Sequence, residues 1–258
     1  MHGSPSDPLP TPRLLIESVA EVDSTNSELL RREPLLPPSS GADAIWLVAA
    51  RQTAGRGRRQ RNWISSVDGS LTASFAREVE RPANIGALSL VAGVAVAQVL
   101  EGFGVHVRLK WPNDLHVAGG KAGGILCEAR ARGRVTRLVI GCGLILLAPS
   151  APIGQAAGAL FDSGTLPPRD VLSRALGCAL LDASDRLLAN GFEPFRREWA
   201  ARDMLLGRAV VIHDDAGDTP AIACGIDEDG ALLVTSDQAP NQVRRVVADE
   251  VSVRPLSR

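Results

Sequence analysis

Apolar and polar positions fall into blocks along this chain, and the blocks sort into helices and strands. Residues 14–19 are a short apolar segment that predicts a strand. Asp23-Ser24-Thr25-Asn26 follows with helix-capping oxygens. Glu28 stands three residues after Thr25, the capping-box spacing, and Leu29 and Leu30 continue a short helix. Pro34, Pro37, Pro38 and Gly41 end it in a loop. Residues 44–50 are continuously apolar, which predicts a buried strand, and 70–77 alternate as the next one. Pro82 stands where a helix can open. Residues 85–100 are small and apolar nearly all round, so that helix belongs in the core.

Residues 105–110 predict a strand with His106, Arg108 and Lys110 on one face. Trp111-Pro112-Asn113-Asp114 breaks it, because Pro112 has no N–H for a ladder. Residues 115–117 resume, Gly119-Gly120 turns, and 124–129 and 134–140 form a strand pair around Arg132-Gly133. Consecutive strands with short turns predict a mixed or antiparallel sheet, not a βαβ series. Residues 149–168 read as irregular. An amphipathic helix over 170–189 puts Leu172, Leu176, Leu180 and Leu187 on one side, and a second over 192–206 ends at Gly207. Beyond Gly207 the texture changes to short strands at 208–213, 221–226, 231–235, 243–248 and 251–254. Turns at Asp214-Asp215-Ala216-Gly217 and Asp227-Glu228-Asp229-Gly230 divide them, as in a small β-barrel. The chain thus divides into an irregular lead 1–13, an α+β domain 14–206 and a β domain 207–258.

Composition narrows the classes. The chain has 258 residues, 45% hydrophobic and 22% charged, with net charge −1. That is an ordinary globular balance. The longest apolar runs, 88–100 (broken by Gln98) and 138–148, are shorter than the roughly 20 residues that span a bilayer. Nor does the N-terminus read as a signal peptide, so the expectation is a cytoplasmic protein without a membrane partner. Four scattered cysteines without C-x-x-C predict buried, reduced thiols. The near-neutral charge argues against a general nucleic-acid binder.

Against that background residues 51–63 stand out, with five arginines and no acidic residue. Glycines let backbone approach a ligand, and arginine forks suit phosphate or carboxylate, so the loop predicts a small-anion site. Taken alone, such a run also reads as a solvated basic loop. Gly55-Arg56-Gly57 is not a dinucleotide fingerprint, because Gln60 stands at the third glycine position. There is no Walker-type loop and no G-x-S-x-G elbow. Lys121, amid four glycines, reads alone as a solvated hairpin lysine. Asn113 and Asp114 suit either a polar ligand or Mg²⁺, or an Asx turn. The histidines lack metal-ligand spacing.

Together, and in order, these segments resemble the biotin–protein ligases. The segments are Asp23-Ser24-Thr25-Asn26; Gln52-Thr53-Ala54-Gly55-Arg56-Gly57-Arg58-Arg59-x-Arg61-x-Trp63; Lys110-Trp111-Pro112-Asn113-Asp114; and Lys121-x-x-Gly124-Ile125. Gly141-Cys142-Gly143 and the tail from Gly225 to Val234 add support. The resemblance implies a class II synthetase-like mixed sheet plus an SH3-like C-terminal barrel. It implies that biotin and ATP, with Mg²⁺, form biotinyl-5′-adenylate, and that biotin then passes to one lysine of a biotin carboxyl carrier protein. It places Ser24, Thr25 and Gln52 on the ureido head, with Asn26 beside them. Arg56, Gly57, Arg58 and Lys121 meet the carboxylate and later the adenylate phosphate. Arg61, Trp63 and Asn113 lie toward ATP, and Asp114 is the base for the incoming lysine. The loop becomes a lid, with Arg51 and Arg59 left as surface charge.

Two positions depart from the family pattern. Gln60 replaces a usual glycine, and Ile145 stands where an asparagine faces the nucleotide. Isoleucine cannot hydrogen-bond a triphosphate or Mg²⁺, so either ATP affinity falls or Asn113 and other groups compensate. The resemblance allows a homodimer. With about a dozen irregular residues ahead of the pattern, it implies no DNA-binding domain. The alternatives are a lipoyl or octanoyl transferase of the same superfamily, and a degenerate biotin-binding homologue without catalysis.

Overall fold

The computed structural model describes residues 14–80, 85–149, 156–214, 217–236, 239–248 and 252–255. The lead 1–13, the helix start at Pro82, residues 150–155 of the irregular stretch, the centre of the 214–217 turn and residue 251 of the last predicted strand lie outside the described residues. β1 (Leu14–Val22) and β2 (Ala44–Gln52) pair in parallel through the intervening α1 (Thr25–Arg31). β3 (Ser70–Glu80), β4 (Arg108–Lys110), β5 (Asp114–Val117), β6 (Gly120–Arg132) and β7 (Val135–Ile145) complete a seven-stranded sheet of order β1-β2-β3-β7-β6-β5-β4. Every pairing after the first is antiparallel. The mixed sheet read from the sequence is the one observed.

β2 shows why its sequence is continuously apolar. Successive side chains point to opposite faces. Ala44 and Trp46 enter the main core, while Ile45 and Leu47 enter a smaller core with Leu29, Leu35 and Val139. α2 (Leu88–Gly102), α3 (Arg169–Asn190) and α4 (Glu193–Arg202) close the main core. α2 is buried nearly all round, as its composition predicts. Trp46 Nε1 donates to Ser173 Oγ of α3 at 2.8 Å. α1 covers the opposite face. Its C-terminal carbonyls are met by the fully buried Arg137 of β7, which donates to Leu29 O at 2.9 Å and Arg32 O at 2.6 Å and pairs with Glu78 at 2.5 Å.

Three local expectations change. Ser24, not Thr25, is the N-cap of α1: it is extended, and its side chain accepts from Ser27 N. Thr25 is already helical, with its hydroxyl turned to Gln52, so no capping box forms and Glu28 pairs forward with Arg31. Lys121 is a strand residue, since β6 begins at Gly120. Cys142 is buried, but Cys178 on α3 and Cys224 in the C-terminal sheet are exposed, because their positions face outward.

β8 (Ala209–Asp214), β9 (Gly217–Ile226), β10 (Leu232–Ser236), β11 (Ala239–Val246) and β12 (Ser252–Pro255) form a second, antiparallel sheet of order β11-β10-β9-β8-β12. The chain's last strand returns to the sheet's first, consistent with an SH3-like barrel. Val210, Ile212, Ala223 and Leu232 join the main core, and Trp111 Nε1 donates to Gly230 O at 3.0 Å. No helix among the described residues is long and apolar enough to cross a membrane.

Candidate active site

The parallel register places Val22 against Gln52, so the β1–α1 corner meets the end of β2. Ser24, Thr25 and Asn26 are all buried there. Gln52 Oε1 accepts from Thr25 N at 2.7 Å and lies 3.0 Å from Thr25 Oγ1. Asn26 commits its amide to protein: Nδ2 donates to Leu126 O at 3.1 Å and Glu128 Oε2 at 2.8 Å, while Oδ1 accepts from Ser74 Oγ at 2.5 Å. The result is an uncharged, hydrogen-bonding pocket.

Two glycines of β7 let the neighbouring side chains approach. A Cβ on Gly141 would fall 2.3 Å from Asn26 Oδ1, and one on Gly143 would fall 2.4 Å from Trp63 Cε2. Neither position admits a side chain with these neighbours in place. Cys142 lies between them with its thiol pushed up to about 12 by burial, so it is not a nucleophile at neutral pH.

The arginine loop is a tight hairpin. Gly57 N donates to Arg61 O at 2.7 Å, Trp63 N donates to Gly55 O at 2.9 Å, and Arg56 bridges Asn62. A 3-10 turn, Arg58–Gln60, forms its tip, with Arg59 at φ 54°. Its fold brings Arg56, Arg58, Arg61 and Trp63 to one wall of the cleft. Arg59, expected at the surface, is exposed and also borders the cleft mouth. Arg51 lies outside and pairs with Glu21 at 2.7 Å, as surface charge should. Arg56 Nη2 meets both oxygens of Glu128, and Arg58 Nη2 donates to Ala248 O in the turn after β11.

The facing wall is the Trp111–Asp114 turn and the start of β6. Lys121 Nζ lies 2.6 Å from Asp114 Oδ1, and Lys110 Nζ lies 4.0 Å from Asp114 Oδ2. Asn113 Nδ2 donates to Ile125 O at 2.6 Å. Two residues along β5, burial holds the His116 pKa below the usual imidazole value. Lys110 and Lys121 act in the same direction and Asp114 opposes them, so His116 is neutral at pH 7.

Every site residue named from the sequence borders this one cleft, which encloses about 1160 Å³ with its open mouth included. Sequence reasoning missed Lys110, Thr72 and Val253 as lining residues, and Glu128 and Ser74 behind the lining. Lys110 was legible from its place beside Asp114; Val253 was not, since it arrives from a distant sheet. Ile145 lies elsewhere: it is buried in β7 opposite Ser70 and is not among the lining residues. Among the described residues no three His, Cys, Asp or Glu side chains converge on a metal position.

The cleft thus joins a neutral hydrogen-bonding pocket at one end to a cluster of cations at the other. Residues 22–144 match the biotin/lipoate A/B protein ligase family. The chain is 34% identical over 239 residues to the bifunctional ligase/repressor BirA of Salmonella typhimurium, covering 90% of this chain and 72% of that protein. It is 33% identical over 233 residues to the biotin–[acetyl-CoA-carboxylase] ligase of Paracoccus denitrificans, covering 84% and 92%. The structure of the Aquifex aeolicus biotin protein ligase in complex with biotin and ATP superposes with a TM-score of 0.76 at 26% identity, covering 93% of this chain and 99% of that one. The chain belongs to the biotin/lipoate A/B protein ligase family.

Proposed function

We propose that this protein is an ATP-dependent biotin–protein ligase acting on a lysine of a biotin carboxyl carrier protein. The observation that carries this reading is the division of one cleft into a neutral head-group pocket and a cationic end. Ser24, Thr25 and Gln52 offer donors and acceptors that suit an uncharged ureido group. A lipoyl dithiolane offers no amide donors or acceptors to this polar pocket, which disfavours the transferase alternative. The relatives named above, and the biotin and ATP bound by the Aquifex aeolicus enzyme, support the same assignment.

In this reading residues 14–206 carry the chemistry, and 207–258 close one side of the cleft through Val253 and Ala248. The valeryl carboxylate attacks the α-phosphorus of ATP and pyrophosphate leaves. Two anions must meet for this to happen. Arg56, Arg58 and Lys121 supply fixed positive charge where the new negative charge develops. Arg61, Trp63 and Asn113 lie toward the nucleotide, and the Arg51–Trp63 loop closes over the adenylate. In the second step the carrier lysine amine attacks the acyl carbonyl and AMP leaves, with Asp114 taking the amine proton. Mg²⁺ would fit this cleft as a guest of the triphosphate, since Asp114, with Asn113 beside it, is the one carboxylate among the described lining residues. When bound, it supplies neutralisation of phosphate charge.

The test is biotin-dependent ATP–pyrophosphate exchange. Wild type should exchange, and Lys121→Ala or Arg58→Ala should lower the rate about 10²–10³-fold with the thermal midpoint unchanged. Exchange in both variants at the wild-type rate would remove the assignment.

A further inference from the structure

Glu128 of β6 is neither a cleft-lining residue nor an ordinary surface carboxylate. Its Oε1 and Oε2 accept from Arg56 Nη2 at 2.9 and 2.7 Å, and Oε2 also accepts from Asn26 Nδ2 at 2.8 Å. One carboxylate therefore holds a loop arginine and a residue of α1. From Asn26 the contacts continue inward. Asn26 Oδ1 accepts from Ser74 Oγ at 2.5 Å, Ser74 Oγ in turn accepts from the Thr25 hydroxyl at 2.7 Å, and Thr25 N donates to Gln52 Oε1 at 2.7 Å. The chain Arg56–Glu128–Asn26–Ser74–Thr25–Gln52 has no break. Ser74, Asn26 and Thr25 are all at least 97% buried.

The inner part of this chain cannot rearrange at will. Asn26 Nδ2 serves two acceptors, so Oδ1 must face Ser74. Thr25 N–H faces Gln52 Oε1, so that amide is fixed as well. Buried hydrogen-bonded groups of this kind are costly to displace, because each would be left unpaired. Glu128 thus rests on a rigid support. Its other partner, Arg56, belongs to the hairpin 55–63, whose backbone bonds run Gly57 N to Arg61 O and Trp63 N to Gly55 O and whose tip also touches Ala248 O through Arg58. A rigid anchor on one side and a loop cation on the other is the geometry of a tether.

We propose that Glu128 is a positioning residue that ties Arg56, and with it the arginine loop, to the buried frame of the head-group pocket. The tether is a property of the protein without ligand. Its bearing on catalysis rests on the ligase reading: it presents Arg56 beside the pocket before the acyl ligand arrives, leaving Nη1 and Nε to meet the carboxylate.

The test is digestion of the ligand-free full chain by an arginine-specific protease. The readout is the rate of cleavage after Arg58, Arg59 and Arg61, divided by the rate after the exposed Arg196. Glu128→Gln keeps an acceptor for Asn26 but loses the ion pair, and Arg56→Gln loses it from the other side. Each should raise the ratio about two- to fivefold, the factor that accompanies loss of one half-exposed ion pair. The double variant should rise no further than either single one. A wild-type ratio in Glu128→Gln would overturn the tether. So would effects that multiply in the double variant, or cleavage that rises equally at Arg196, which would mark a merely structural role. None of these arms requires biotin or ATP, so a failure of the ligase reading would show separately, as absent exchange in wild type.

Discussion

Lys121 and Asp114 face each other at 2.6 Å, each tied to a different strand. Their pairing fixes the lysine in the cleft before any anion arrives, so its charge needs little reorganisation. Ile145 is the opposite kind of residue. Its sequence position suggested a lost nucleotide contact, but its side chain is buried beside Ser70. An asparagine there would bury a polar amide. Ile145→Asn should therefore cost about 2–4 kcal/mol of stability, read by chemical denaturation, and should leave the KM for ATP no lower. A lower KM without loss of stability would restore the nucleotide-contact reading. The site chemistry was legible at this scale because charged and polar residue types cluster in short segments. Burial was not, because a strand's sequence does not say which neighbour covers each face.

At the level of elements, α1 is the piece that positions the head-group pocket, and Arg137 holds its C-terminal end. That guanidinium is 1% exposed and satisfies carbonyls of Leu29 and Arg32 that the helix leaves unpaired. Arg137→Ala should destabilise the protein by about 2–4 kcal/mol in a denaturant titration, and it should weaken biotin binding through displacement of Thr25. Unchanged stability would show that α1 is held by its apolar face alone. Strands and helices were largely legible from periodicity, β2 and α2 most clearly. The capping box was misread because Ser24 and Thr25 are both capping residues, and only the tertiary contact to Gln52 decides between them. The extent of β6 was hidden by its glycines, which signal turns locally yet here allow β5 and β7 to approach.

Over the whole molecule, one cleft gathers residues from α1, β2, the arginine loop, β3, β4, β5, β6, β7 and β12. Proximity of that kind is set by strand order, and no single stretch of sequence contains it. The ordered motifs revealed the family, and topology shows how they meet: the parallel β1–β2 pair brings Thr25 to Gln52, and the β5–β6 hairpin brings Asp114 to Lys121. The C-terminal segment reaches the same cleft through Val253 of β12 and, by its contact with Arg58, through Ala248 in the preceding turn. The central claim is that this assembly moves biotin onto a carrier lysine. The direct measurement is the intact mass of an apo biotin carboxyl carrier domain after incubation with the protein, ATP and Mg²⁺, with biotin or lipoate supplied in turn. The account predicts one biotinyl group per carrier domain, dependent on ATP, and no change with lipoate. Lipoyl transfer, or biotin binding with an unmodified carrier, would contradict it.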